Sequence, residues 1–149
     1  MRDVRVEPDA GLTACWAVMD SAVPGLDLSA AGTRAVAGGE RGEVRLLDLG
    51  TGAVTDLPDA HRAAVTSVAH GPRLVVTGSA DRRVRLWTPG GEPIATLRMP
   101  GPVRKVLLSA DESSLLVLVE GERAVRRWRL DALFREWEAL GLGTGLPPG

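Results

Sequence analysis

A period of about forty residues constrains this chain more than any other feature. Val44-Arg45-Leu46-Leu47-Asp48, Val84-Arg85-Leu86-Trp87-Thr88 and Val125-Arg126-Arg127-Trp128-Arg129 share one pattern, and their starts lie 40 and 41 residues apart. The same register reaches back to Val4-Arg5-Val6-Glu7. A second series precedes the later three by about twenty residues: Val23…Leu26-Asp27-Leu28, Val65-Thr66-Ser67-Val68 and Val103-Arg104-Lys105-Val106-Leu107-Leu108. Between the two series lie Arg34-Ala35-Val36-Ala37, Leu74-Val75-Val76-Thr77 and Leu115-Leu116-Val117-Leu118.

Each unit therefore holds three or four short runs rich in Val, Leu and Thr. Turn residues such as Ala31-Gly32-Thr33, Gly50-Thr51-Gly52, His70-Gly71-Pro72 and Pro89-Gly90-Gly91 separate them. Short strands with regular turns are antiparallel hairpins, and one period is the length of a four-stranded propeller blade. The near-continuous apolar middle strands agree, because neighbouring blades cover both faces of a sheet. A helical repeat would need apolar spacings of three and four, which these runs lack. The reading is all-β, with blades at 23–60 and 61–100, blade strands at 101–130 and a partial blade at 4–22, in one domain over 1–149.

With the blades in place, residues His61…Thr77-Gly78-Ser79-Ala80-Asp81-Arg82-Arg83-Val84-Arg85-Leu86-Trp87 closely resemble a WD repeat. That family's units carry a His before the first strand, a Ser or Thr in the second, an Asp in the tight turn and a Trp in the third. The other units depart from it. Leu47 stands where the Trp belongs and Glu40 or Arg41 where the Asp belongs; the unit at 103–130 keeps Trp128 but has Glu122 near the Asp position. The resemblance implies a WD-type propeller of about three and a half repeats, with an incomplete ring.

His61, Asp81 and Ser79 or Thr77 also contain the parts of a hydrolase triad. The resemblance implies something else: a buried hydrogen-bond chain of His61, Thr77, Ser79, Asp81 and Trp87 that locks loop, turn and strand together. The donors and acceptors balance, since Asp81 accepts, Trp87 donates, and His61 and Thr77 do both. No Gly-x-Ser-x-Gly elbow surrounds either candidate nucleophile. The expectation is no catalytic residue and no enzyme.

Other chemistry is thin. His70 lies in a turn, and two histidines in different loops do not make a metal site. Gly38-Gly39-Glu40-Arg41-Gly42 lacks the Lys-Ser/Thr and helix of a phosphate cradle, so it reads as a hairpin turn. First-strand positions assigned to the central channel (Leu26, Leu28, Val68, Val106 and Leu108) are apolar, which disfavours a ligand-binding or catalytic propeller. No metal and no cofactor are expected.

The partner is expected to be a protein or peptide. Mapping the repeats places Arg41, Arg82, Arg83 and Arg123 in turns between second and third strands, with Arg62 and Arg104 in or just after the inter-blade loops. These share one rim, while the other rim, with Asp48, Thr51, Pro89 and Asp111, carries little positive charge. Arginine pairs bidentately with carboxylate and phosphate, so an acidic or phosphorylated partner fits. Nucleic acid fits poorly: net charge is −1, with one Phe and no Tyr to stack on bases. No apolar run is long enough to cross a bilayer, and no signal-peptide core is present, so no membrane partner and a cytoplasmic location are expected. A single cysteine, Cys15, excludes an intrachain disulfide and fits a reducing compartment.

At the C-terminus Asp131 can cap a helix over 131–141, with Leu133, Phe134, Trp137 and Leu140 on one face and Gly141 at its end. This tail also resembles the end of bacterial multi-repeat WD proteins, some of which are joined to serine/threonine kinases. The blades counted here are fewer than a closed propeller needs, so either further blades or self-association is expected to close the ring.

Overall fold

The computed structural model describes residue 19, residues 21–132 and residue 135. Eleven strands run in chain order: β1 (Gly25–Leu28), β2 (Arg34–Gly38), β3 (Val44–Asp48), β4 (Val54–Leu57), β5 (Val65–His70), β6 (Val75–Ser79), β7 (Arg83–Trp87), β8 (Pro93–Arg98), β9 (Val103–Leu108), β10 (Ser114–Val119) and β11 (Val125–Arg129). They form antiparallel sheets in the orders β1-β2-β3-β4, β5-β6-β7-β8 and β9-β10-β11. The fold is thus all-β, an unclosed set of WD-type blades. The three matched pentapeptides lie on β3, β7 and β11, and each third strand pairs with the second strand before it.

Alternation decides which face of each strand is buried and against what. Sheet two is covered on both faces. Val75 and Trp87 join Val36, Val44, Leu46, Leu57 and Val65 in the core toward sheet one. Val76, Val84 and Leu86 join Val103, Val106, Leu115 and Val117 in the core toward sheet three.

The joints between sheets repeat a single device. A Cβ added at Gly38 would lie 2.7 Å from Val65 Cβ and 3.3 Å from Val68 Cγ1. Forty residues later, a Cβ at Gly78 would lie 2.7 Å from Val103 Cγ1 and 2.9 Å from Val106 Cγ1. Each glycine is a socket for two valines of the next sheet's first strand. Val68 and Val106 therefore point at the preceding sheet and not into a channel, contrary to the expectation above; the register irregularity between Val65 and Ser67 resets the alternation in β5. Leu26 and Leu28 are solvent-exposed, at 70% and 53%.

The chain begins a helical turn at residues 130–132, anchored by the fully buried Leu130. Most of the helix expected over 131–141 lies outside the described residues. So do Cys15 and nearly all of the partial blade expected at 4–22.

Candidate functional site

The second sheet carries a polar chain within an apolar joint. His61 Nδ1 lies 3.0 Å from Asp81 Oδ2, and its Nε2 lies 2.7 Å from Thr77 Oγ1. Trp87 Nε1 donates to the same Thr77 oxygen at 3.1 Å. Trp87 can only donate and the Asp81 carboxylate can only accept, so the direction is fixed from both ends. Trp87 N–H donates to Thr77, Thr77 O–H donates to His61 Nε2, and His61 Nδ1–H donates to Asp81. Every group is satisfied with a neutral imidazole.

Electrostatics agree with that assignment. Burial removes water from His61 and lowers its pKa below 6.5, outweighing the opposing pull of Asp81. Burial alone would raise Asp81. The backbone N–H of Arg62 at 3.0 Å, the His61 ring and the backbone N–H of Arg83 at 2.9 Å outweigh it and hold the carboxyl below 3.8. One carboxylate thus pins the inter-sheet loop and the β6–β7 turn to each other.

Ser79 belongs to the same corner but not to the His–Thr–Trp relay. Its hydroxyl lies 3.0 and 2.9 Å from the carbonyls of Ala63 and Ala64, and it accepts the Asp81 N–H at 3.1 Å. A serine so engaged is a loop clamp. Sheets one and three lack the relay: register places Ala37 and Val117 where Thr77 stands, and neither side chain bears a hydroxyl.

Arg85 completes the corner and was not singled out from the sequence. Its guanidinium carbon lies 4.3 Å from the Trp87 ring centroid, and Nη1 donates to the carbonyls of Asp59 and Ala60 at 2.7 and 3.1 Å. It shares a strand face with Trp87 two residues away, so alternation alone makes them neighbours. The recurring Val-Arg of Arg45, Arg85 and Arg126 carried that signal.

Loops at this end of the sheets are bonded into one rim. His61 N–H donates to Gly42 O at 3.1 Å, Ala80 N–H to Ala64 O at 3.0 Å, and Met99 N–H to Arg82 O at 2.8 Å. Arg41, Arg62, Arg82 and Arg123 are exposed on these loops and turns, and Arg83 is half-buried as the first residue of β7. Arg104 is exposed on β9 itself, one residue inside the strand. None of the six forms an ion pair among the described residues. Two of the acids near them are engaged elsewhere, Glu43 by Ser21 and the Arg41 backbone, and Glu122 by Arg126.

The opposite rim holds more positive charge than expected, because Arg34 and Arg73 lie there. Arg73 meets the buried Glu112 at 3.3 Å across the second joint, while His70 N–H donates to Asp27 Oδ2 at 2.9 Å across the first. Among the described residues, no group of three or more His, Cys, Asp or Glu side chains is placed to hold a metal.

A comparison with known families matches residues 53–88 to the WD domain, G-beta repeat. Residues 53–88 are thus a WD repeat. The match begins just before β4 and ends just after β7, so a WD repeat read along the sequence straddles two sheets. It takes the outer strand of one and three strands of the next, and the whole His61–Trp87 relay lies inside it. A relative, eukaryotic translation initiation factor 3 subunit I of Meyerozyma guilliermondii, is 48% identical over 46 residues. That match covers 30% of this chain and 13% of the relative.

Proposed function

We propose that this WD-repeat chain is a non-catalytic scaffold that binds an acidic or phosphorylated protein segment on its arginine rim. The observation that carries the proposal is the set of arginines Arg41, Arg62, Arg82, Arg83, Arg104 and Arg123. Four of them extend from loops and turns at one end of the sheets, Arg83 opens β7 and Arg104 lies one residue inside β9, and none has an ion-pair partner among the described residues. Fixed loops lose little freedom on binding, and an unpaired guanidinium offers two parallel donors to carboxylate or phosphate. The candidate triad is consumed by structure: Thr77 and Ser79 are hydrogen-bonded into the relay and the loop, which favours a scaffold over a hydrolase. The partially matched relative is named as a subunit of a larger factor, in keeping with a role in assembly. A cytoplasmic location goes with this reading through the single cysteine, Cys15, and a place within a larger bacterial WD-repeat protein such as a kinase fusion through the tail's resemblance.

The test is a titration of an aspartate-rich phosphothreonine peptide and its unphosphorylated form against the 149-residue chain. Replacing Arg82 and Arg83 together by Glu is expected to weaken binding about tenfold or more, since each lost charge-assisted bond contributes roughly 1.5–3 kcal/mol. Unchanged affinity in that variant, with an unchanged melting curve, ends the proposal.

A further inference from the structure

The two observed joints define what a following blade requires, and the outer face of the third sheet lacks it. Strand pairing puts Leu118 at the socket position held by Gly38 and Gly78. Arg127 takes the position of Leu46 and Leu86, both buried in a joint. On the first strand, Lys105 takes the position of Gly25 and Ser67. A strand bearing two valines would meet a leucine side chain where the other joints offer open space. This face is not a third joint of the same kind.

It is nonetheless apolar and open. Leu107 and Val125 are 52% and 57% exposed. A depression of about 140 Å³ lined by Lys105, Leu107, Leu116, Leu118 and Val125 adjoins a second of about 340 Å³ that shares Leu107 and Leu116 and reaches Arg127. Together they make one groove with a cation near each end. Arg127 Nε and Nη2 donate to the Ser114 hydroxyl at 3.2 and 3.0 Å, which holds the guanidinium in place without neutralising it. Neither cation has an ion-pair partner among the described residues.

We propose that this groove docks an amphipathic acidic segment of a partner protein, with apolar side chains along Leu107, Leu116 and Leu118 and carboxylates on Lys105 and Arg127. Shape and charge select this occupant. The two depressions follow the strands from Lys105 and Leu118 through Leu107 and Leu116 to Ser109 and Ser114, a path that suits an extended or helical segment laid along it. Two copies meeting through this face would oppose Lys105 and Arg127 to their own kind. The outer face of sheet one presents Leu26 and Leu28, and its Asp56 is engaged by Arg45 at 3.5 Å. The groove shares no lining residue with the arginine rim, although Lys105 follows Arg104 on β9, and the inference stands without the function proposed there.

Two synthetic peptides with one leucine stripe, flanked by Glu in one and Lys in the other, are titrated by fluorescence against the 149-residue chain. The Glu peptide is expected to bind and the Lys peptide to bind at least about tenfold more weakly. Lys105→Glu with Arg127→Glu, both exposed and expected to leave the melting curve unchanged, reverses that preference. Arg82→Glu with Arg83→Glu leaves it unchanged. Binding indifferent to flank charge overturns the proposal, as do a Glu peptide that fails to bind, a preference unaltered in the groove variant, one abolished in the rim variant, and a dimer in light scattering that the Glu peptide does not dissociate.

Discussion

At the scale of single residues, the relay from Trp87 to Asp81 works only because Thr77 both accepts and donates. Thr77→Val preserves shape and removes both functions, leaving Trp87 N–H and His61 Nε2 without partners in a buried joint. The expected cost is about 1–3 kcal/mol, read from urea denaturation midpoints. A variant as stable as the parent would mean that water replaces the hydroxyl and the relay is dispensable. The same relay has a pH signature. Burial lowers the pKa of His61 below 6.5, against Asp81 and with Arg83 and Arg85 nearby, and lowers His70, which faces Asp27, Arg34 and Glu112, in the same direction. These are the chain's two histidines. The unfolded chain therefore takes up protons below about pH 6.5 that the folded chain refuses, so stability rises with pH through that window and falls below it. Urea midpoints that stay flat from about pH 7.5 to about pH 5 would contradict neutral, buried imidazoles.

At the scale of elements, glycine positions set how closely one sheet approaches the next. Gly38→Ala would drive a methyl group into Val65 and Val68, and overpacking of this kind costs about 1–3 kcal/mol. Val65→Ala alone leaves a cavity and is also expected to destabilise, yet the double variant should recover much of the loss, because each change fills what the other vacates. Additive losses in thermal melts would show that the socket is not what holds the two strands in register. The strands themselves were legible in the sequence: Val44, Val84 and Val125 mark β3, β7 and β11 because apolar alternation and turn residues act locally. The relay was legible only through resemblance, since nothing in local pattern brings His61 within 2.7 Å of Thr77, sixteen residues away. The facing of first-strand residues was misread at Val68 and Val106, where an irregularity in β5 and packing between sheets decide the side. Arg85 was missed although its spacing from Trp87 was visible, because an arginine between two apolar residues reads as solvent-facing until an aromatic ring and two loop carbonyls are known to receive it.

At the scale of the whole molecule, each sheet packs only on its neighbours, so stability is close to a sum of sheets and joints and need not be uniform. Sheet two lies between two cores, and every residue of β6 is buried, all but Ser79 pairing with strands on both sides. The outer strands are different: β4 is buried only at Leu57, and β11 is exposed along most of its length, pairing among the described strands only with β10. Leu130 and the half-buried Trp128 anchor the far end of β11 in the second joint, which leaves Val125 and Arg126 at its start with the least support. Hydrogen exchange should follow that gradient. Amides of Val75, Val76 and Thr77 are expected to exchange last, through global opening, while those of Val125 and Arg126 exchange through local fraying about two orders of magnitude or more faster. Thr77→Val should speed exchange in β6 and in the loop around His61 together, because both hang on one hydroxyl, and leave the start of β11 unchanged. Equal protection across the three sheets would mean that they open as one unit, and that the joints carry coupling their glycine sockets do not explain.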